Sequence, residues 1–395
     1  MRKIEYLDGL RGIAAFVVVI SHFVQIFYPA LLKSEPNLIH NTFEPALSKT
    51  PVNLLYNGNF AVCIFFVLSG FVLSYKYFEQ GQPEILVSSA VRRYFRLAIP
   101  AFVSVLTVYV LLLLNAFHYT DIVLQTRSYL PTDYRVMSHN FFTMARSVLY
   151  DCFFTGKPQY NPVLWTMSYE LFGSFLVFTF LALFGKLTRR YLIYLFLIFF
   201  YGQTYFVAFI LGLVLCDLHH NGTWRIGSKF RKAFLVPLSF AIGIFFGSYP
   251  YIDTRTTLYH YLDLPFITTD HLIFYHIWGA FFLMVALLNS SLFMTILSHR
   301  YALFLGKISF SLYLTHFTIL SSLTSYIFSR CISTLSYNLS FLITFCISIP
   351  IMIFVSYLLT RFVDKPAIRV SYLIYQSVFR KCDSKPSESQ AELAL

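Results

Sequence analysis

The feature that most constrains this chain is a succession of apolar runs, most of them near twenty residues long and almost free of charge. They lie at about 10–28, 59–78, 97–118, 165–185, 191–201, 204–218, 233–250, 271–289, 308–328 and 339–362. A helical run of that length matches the hydrocarbon thickness of a bilayer. Charged residues make up 12% of the chain, against roughly 25% in soluble proteins, too few to clothe a soluble surface of this size. Continuous runs also disfavour a transmembrane β-barrel, whose strands are roughly ten residues long and alternate in polarity. The expected fold is an all-α polytopic membrane protein with about ten transmembrane helices.

The region 191–218 suits either one long tilted helix or two short ones broken at Gly202-Gln203. Charge decides between them, because cytoplasmic loops carry excess Lys and Arg. With ten spans and both termini cytoplasmic, 22 basic residues fall inside and 8 outside; with nine, 12 fall inside and 18 outside. Ten spans are therefore expected, and the first is read as a retained helix, not a cleaved signal. Long outer loops are expected at 29–58 and 119–164, with a third at 251–270. The stretch Asn140 to Phe154 is apolar and aromatic enough for an interfacial or re-entrant helix. The domain reading is a membrane domain over 1–370 and a cytoplasmic, largely disordered tail over 371–395.

Net charge is +12. Its placement in loops points to membrane topology, not to nucleic acid. The six cysteines are scattered with no CxxC or Cys/His cluster, so no metal site or disulfide framework is expected. No Walker-type loop is present.

Ionisable side chains within a span are costly and mark function by default. His22 lies midway along the first run, eleven residues after Arg11. Eleven residues turn a helix about 1100°, roughly 20° past three full turns, so both project from one face. Asp8, one turn before Arg11, shares that face and can pair with it. The blander reading makes Arg11 a topology anchor and His22 a helix–helix contact. Glu170, in Leu164-Trp165-Thr166-Met167-Ser168-Tyr169-Glu170-Leu171, is the carboxylate placed well inside a span, a few residues below the outer surface. It suits a proton acceptor or a group orienting His22; otherwise it is a protonated interhelical contact. Phe65 to Phe71 carries a Ser69-Gly70 notch, ordinarily a packing device, that could also admit a substrate. Arg92, Arg93 and Arg96 form a basic cluster at a helix start, suited to a phosphate-rich cytosolic ligand as well as to topology. His316, in the hydroxyl-rich Ile308 to His316, offers either a polar lining or a satisfied structural imidazole.

Asp8-Gly9-Leu10-Arg11-Gly12-Ile13-Ala14-Ala15 running to Ser21-His22 resembles the opening of the bacterial membrane acyltransferase-3 family, whose signature is Arg, ten residues, then His. Phe65–Phe71, Arg92–Pro100, Leu164–Leu171 and Ile308–His316 resemble its later motifs in the same order, and Asp364-Lys365-Pro366 its ending. The resemblance covers about 1–370. It implies transfer of an acyl group, usually acetyl, from cytosolic acyl-CoA to a hydroxyl of an extracytoplasmic glycan such as lipopolysaccharide O-antigen or exopolysaccharide. By motif position, Arg11 and His22 become the essential pair and Arg92, Arg93 and Arg96 lie near the donor.

These readings combine into one expectation. His22, Arg11 and Glu170 act in catalysis; Arg92, Arg93, Arg96, Ser69 and Gly70 bind acyl-CoA as co-substrate; Trp165, Tyr313 and His316 contact the acceptor. The partners are membrane lipid, acyl-CoA and a glycan or lipid-linked glycan, and the location is the inner (cytoplasmic) membrane. His22 serves as general base for direct transfer, with an acyl-imidazole intermediate as the rival. A transporter or flippase is the alternative class.

Overall fold

The computed structural model of the chain describes residues 4–221, 229–265, 267 and 270–379. Among them the secondary structure is helical and no strand is present, which removes the barrel alternative. Among the described residues, seven helices are long and apolar enough to cross a membrane: Glu5–Phe27, Gly58–Gln80, Glu84–Leu113, Pro162–Phe184, His271–Asn289, Arg300–Cys331 and Tyr337–Phe379. Three shorter apolar helices, Tyr191–Tyr201, Phe206–His220 and Ala233–Gly247, occupy the remaining expected runs. The ambiguous region is therefore two helices, with the break at Gly202-Gln203 where it was expected. Arg225 and the tail after Phe379 lie outside the described residues.

Local chemistry sets the helix ends. The Asn57 side chain accepts from the Phe60 amide and starts the Gly58–Gln80 helix. Gly81, at φ 69°, stops it. Asn140 and Asp270 cap the Phe141 and His271 helices in the same way. Prolines at 100, 237 and 350 lie inside helices, a tolerance typical of membrane helices.

The chain divides into two compact units. The first comprises Met1–Gly81, Tyr119–Pro131 and Thr179–Ser309. Its tightest crossing brings the Gly58–Gln80 and Phe206–His220 helices together. A Cβ on Gly70 would lie 2.1 Å from the Phe209 carbonyl oxygen, and one on Gly212 would lie 2.0 Å from that of Val67. Glycine facing glycine is what lets these two backbones meet.

The second unit comprises Gln82–His118, Thr132–Phe178 and Phe310–Leu395. Here hydroxyls join two helices. Ser340, Thr344, Ser348, Ser356 and Thr360 recur at intervals of four or eight and are all buried, which puts them on one stripe. Thr324 donates to Ser348, Thr360 donates to Ser311, and Thr315 pairs with Ser356. The helix Lys365–Phe379 corrects the expected tail boundary, because residues 371–379 are helical. Ala367 and Ser371 are buried, and Tyr372 lies under the Arg92 guanidinium at 5.7 Å. An amphipathic helix packed on Glu84–Leu113 thus continues past residue 370.

The expected interfacial or re-entrant stretch is also helical. Phe141–Arg146 passes into a π-helical segment, Ser147–Thr155, ended by Gly156 at φ 67°. It runs antiparallel to Glu84–Leu113. Tyr109 donates to the His139 carbonyl and Tyr94 to the Leu149 carbonyl, so fifteen residues back along one helix answer ten residues forward along the other segment.

Candidate functional site

Two constellations carry chemistry, one in each unit. In the first unit, the Glu5–Phe27 helix holds Asp8, Arg11 and His22. Its opening turns can lie close to the chain around residue 300 because the contact residues are small: a Cβ on Gly12 would be 2.3 Å from the Gly306 amide nitrogen. Arg11 donates to Asp8 at 3.1 Å, the one-turn pairing expected from the sequence. Both side chains stay partly exposed.

His22 is half-buried. Its Nδ1 lies 3.0 Å from the Val18 carbonyl oxygen, one turn back. A carbonyl only accepts, so Nδ1 carries the hydrogen and the lone pair of the neutral ring sits on Nε2. The helix backbone itself thus selects the tautomer in which Nε2 is the basic atom. Next to it, Ser21 is fully buried and lies against Gly58, where a Cβ would come within 2.7 Å of the serine hydroxyl.

At the Ser69-Gly70 notch the glycine face is packed. Its glycine is closed by the Phe209 backbone at the crossing described above, so the packing reading is the one the structure supports.

In the second unit, Arg93 donates to Glu170 in a short charge-assisted contact, with side-chain exposures of only 12% and 15%. The sequence reading put Glu170 near the outer surface and Arg93 at a helix start suited to a cytosolic ligand; the structure joins them. The reason is the segment before Glu170. After the π-helical stretch the chain returns to Asn161, whose side-chain NH2 donates to the Leu314 carbonyl at 2.9 Å. Trp165 ends a short 3-10 turn, Pro162–Trp165, in place of a simple span entry, and Glu170 follows within the next turns.

The other two arginines differ from Arg93. Arg92 donates from Nε to the Ser88 carbonyl and stacks over Tyr372, while Arg96 is exposed. The cluster is therefore not three equivalent cations: Arg93 meets a carboxylate, Arg92 an aromatic ring, and Arg96 is the most exposed of the three.

Tyr313 and His316 are drawn into packing. The Tyr313 hydroxyl donates to the Val163 carbonyl at 2.6 Å and pairs with Thr166 at 2.8 Å. It clamps the start of the Thr166–Phe184 helix. His316 makes the same backbone contact as His22, Nδ1 to the Leu312 carbonyl at 3.0 Å, but is completely buried.

Two polar clusters in the first unit escaped the sequence reading. His276, fully buried, contacts Asn59 Oδ1 at 2.9 Å and Asn57 Nδ2 at 3.0 Å. Asn59 in turn donates to the Tyr205 hydroxyl. Asp217 receives a bidentate pair from Arg190 at 2.5 Å on each oxygen and a bond from Tyr194 at 2.8 Å. The first signal was available as a mid-run His and an Asn-Gly-Asn helix start; their pairing across more than two hundred residues was not.

An apolar multi-helix chain with a tautomer-fixed imidazole on its first helix fits the family that its motifs resemble. Residues 4–361 match the model described as an acyltransferase domain, acyltransferase-3, and the chain belongs to that family. It is a multi-pass membrane acyltransferase. Among characterised proteins it is similar to Acyltransferase R4 of Phoma sp., 26% identical over 94% of this chain and 95% of the relative. It is also similar to O-acetyltransferase PaAT-1 of Phomopsis amygdali, 26% identical over 96% and 86%, and to Acyltransferase clz18 of Cochliobolus lunatus, 25% identical over 94% and 96%. No solved structure matches significantly.

Proposed function

We propose that this acyltransferase moves an acyl group, acetyl in the first instance, from cytosolic acyl-CoA to a hydroxyl of an acceptor presented from the extracytoplasmic side. The observation that carries the chemistry is that His22 has its Nδ1 held by the Val18 carbonyl and its side chain only half-buried, which suits Nε2 to accept a proton. The acceptor hydroxyl gives its proton to Nε2 while its oxygen attacks the thioester carbonyl. The C–S bond then breaks, and the departing thiolate takes the proton back from Nε2. Neutral imidazole is regenerated and no covalent enzyme intermediate is needed.

Arg11, held by Asp8 at 3.1 Å and still partly exposed, is suited to an anionic group of the donor. Arg93 has a different part. Its charge is already matched by Glu170, so the pair holds the arginine helix in register and contributes little net charge to donor capture. The name O-acetyltransferase borne by the Phomopsis relative supports an oxygen acceptor and an acetyl donor. The glycan acceptor rests on the motif resemblance. Because the three relatives are fungal, the acceptor proposed is a glycan, a lipid-linked glycan or another hydroxyl-bearing molecule, not lipopolysaccharide in particular.

The test is incubation of the purified protein with acyl-labelled acetyl-CoA, with and without hydroxyl acceptors. Label should enter the acceptor as an ester and should not accumulate on the protein. Acyl label trapped on His22 with donor alone would replace direct transfer by an acyl-imidazole route. Undiminished transfer by His22→Ala would overturn both.

A further inference from the structure

The π-helical segment Ser147–Thr155 has no part in the chemistry proposed above. Two other π-helical stretches, Leu320–Thr324 and Thr360–Asp364, are five residues each, the single-turn form in which such turns usually occur. This one runs for nine. π-Turns cluster at functional sites, and here the segment borders a cleft of about 670 Å³, within the range of ligand sites.

The lining of the cleft is polar and charged. Arg146, Asp151 and Lys157 face it together with Thr143, Thr155 and Gln159. Arg146 is 75% exposed, yet its Nε is held 3.7 Å from the Asp151 carboxylate, which is only 18% exposed. Lys157 is exposed. Phe142, at the edge of the cleft, is 81% exposed, and the π-helical segment itself turns Tyr150 and Phe154 outward, 52% and 46% exposed. Basic side chains interleaved with outward aromatic rings are the pattern of a membrane–water interface, where cations reach phosphates and rings enter the lipid.

We infer that this cleft binds the phosphate headgroup of a membrane lipid, with Arg146 and Lys157 on the phosphate and the lipid's chains against Phe142, Tyr150 and Phe154. Asp151 positions the Arg146 guanidinium and accepts from a headgroup hydroxyl. The ligand class is an anionic phospholipid whose head carries both a phosphate and hydroxyls. A diacylglycerol of the same chain length has the apolar part alone, and glycerol 3-phosphate has the head alone. The inference stands independently of the acceptor and of His22.

Native mass spectrometry of the delipidated full chain in detergent tests it, with titration by short-chain phosphatidylglycerol, the matching diacylglycerol and glycerol 3-phosphate. Phosphatidylglycerol should bind most tightly. The double variant Arg146→Ala/Lys157→Ala should bind it about 30-fold more weakly, the loss expected for two basic residues at a lipid surface. Arg146→Lys/Lys157→Arg, which keeps both charges, should recover most of that loss, and this separates binding from folding. Equal binding of phosphatidylglycerol and diacylglycerol, or an unaltered double variant, would overturn the site. Glycerol 3-phosphate binding as tightly as the lipid would overturn the lipid as its occupant.

Discussion

His22 and His316 make the same bond in different surroundings. Each donates from Nδ1 to the carbonyl four residues earlier at 3.0 Å, so each presents Nε2 as its basic atom. His22 is half-buried, whereas His316 is sealed. His316 also lies beside Tyr313, whose hydroxyl is committed to Val163 and Thr166. A helical histidine obtains the tautomer of a general base from its own backbone, so tautomer alone cannot mark a catalytic residue. Access to the ring separates the two, and access is a property of packing that neither residue's sequence neighbourhood encodes.

The sharpest cut through this comparison is His22→Ala. Loss of a positioned base should lower the rate by about 10³-fold, with thermal stability of the purified protein close to wild type, because a half-buried ring is removed. Radiolabelled acetyl transfer and a melting curve on the same preparation give both numbers. A variant that melts early and keeps its specific activity would reverse the assignment.

Next in size is the Arg93–Glu170 pair. Its partners are mostly buried, and breaking such a pair leaves an unmatched charge at about 3 kcal/mol. Glu170→Gln and Arg93→Met should each lower the melting point clearly. The double variant should recover much of the loss, since it removes both charges together. Recovery would establish the pair as a register device. A Glu170→Gln enzyme that melts normally but transfers nothing would return Glu170 to the catalytic role first expected of it.

His316→Ala is the converse of the first cut. It empties a sealed site, and the cost should be about 2 kcal/mol or more of stability, with less than about tenfold change in the rate per folded molecule. Gly70→Ala should cost about 1–3 kcal/mol through overpacking against Phe209, with the Michaelis constant for acetyl-CoA unchanged. If Gly70 lined a donor path instead, that constant would rise while the melting point held.

What could be read from the sequence follows from range. The apolar runs, the break at Gly202, the Asp8–Arg11 pairing and the helical stretch near 140–154 are all local, fixed by hydropathy, helix geometry or a spacing of three. Each concerns one segment and its own periodicity. The pairing of Arg93 with Glu170 spans 77 residues, and that of His276 with Asn57 spans 219. A helix's periodicity tells which of its faces is polar, not which other helix meets that face. For the same reason the Ser69-Gly70 notch read equally well as a passage or a crossing, until Gly212 was found opposite it. Charge placement misled at Glu170, because its partner Arg93 comes from a helix 77 residues away that the spacing around Glu170 does not reveal.

The finest cut is a pH profile, and it first requires one carboxylate to be separated from the two histidines. Asp263, in the loop before the His271–Asn289 helix, is affected in opposite directions. Burial raises its pKa, but hydrogen bonds from Thr254 and Tyr249 outweigh that and bring it below the usual carboxylate value. A carboxyl depressed in the folded state adds stability above its unfolded pKa of about 4 and loses it as pH falls through the folded value. The loop 249–263 should therefore loosen only in acid, by a small amount because Asp263 is partly exposed. The protection of 254–263 against hydrogen exchange, taken relative to the intrinsic rate at each pH, should fall below about pH 4 in the wild type and fall less in Asp263→Asn. The loss of activity in acid should be the same in both proteins, because the loop carboxylate takes no part in the proposed transfer. If Asp263→Asn abolished that loss as well, the acid limb would belong to the loop, and the contrast between the accessible and the sealed histidine would need evidence other than pH.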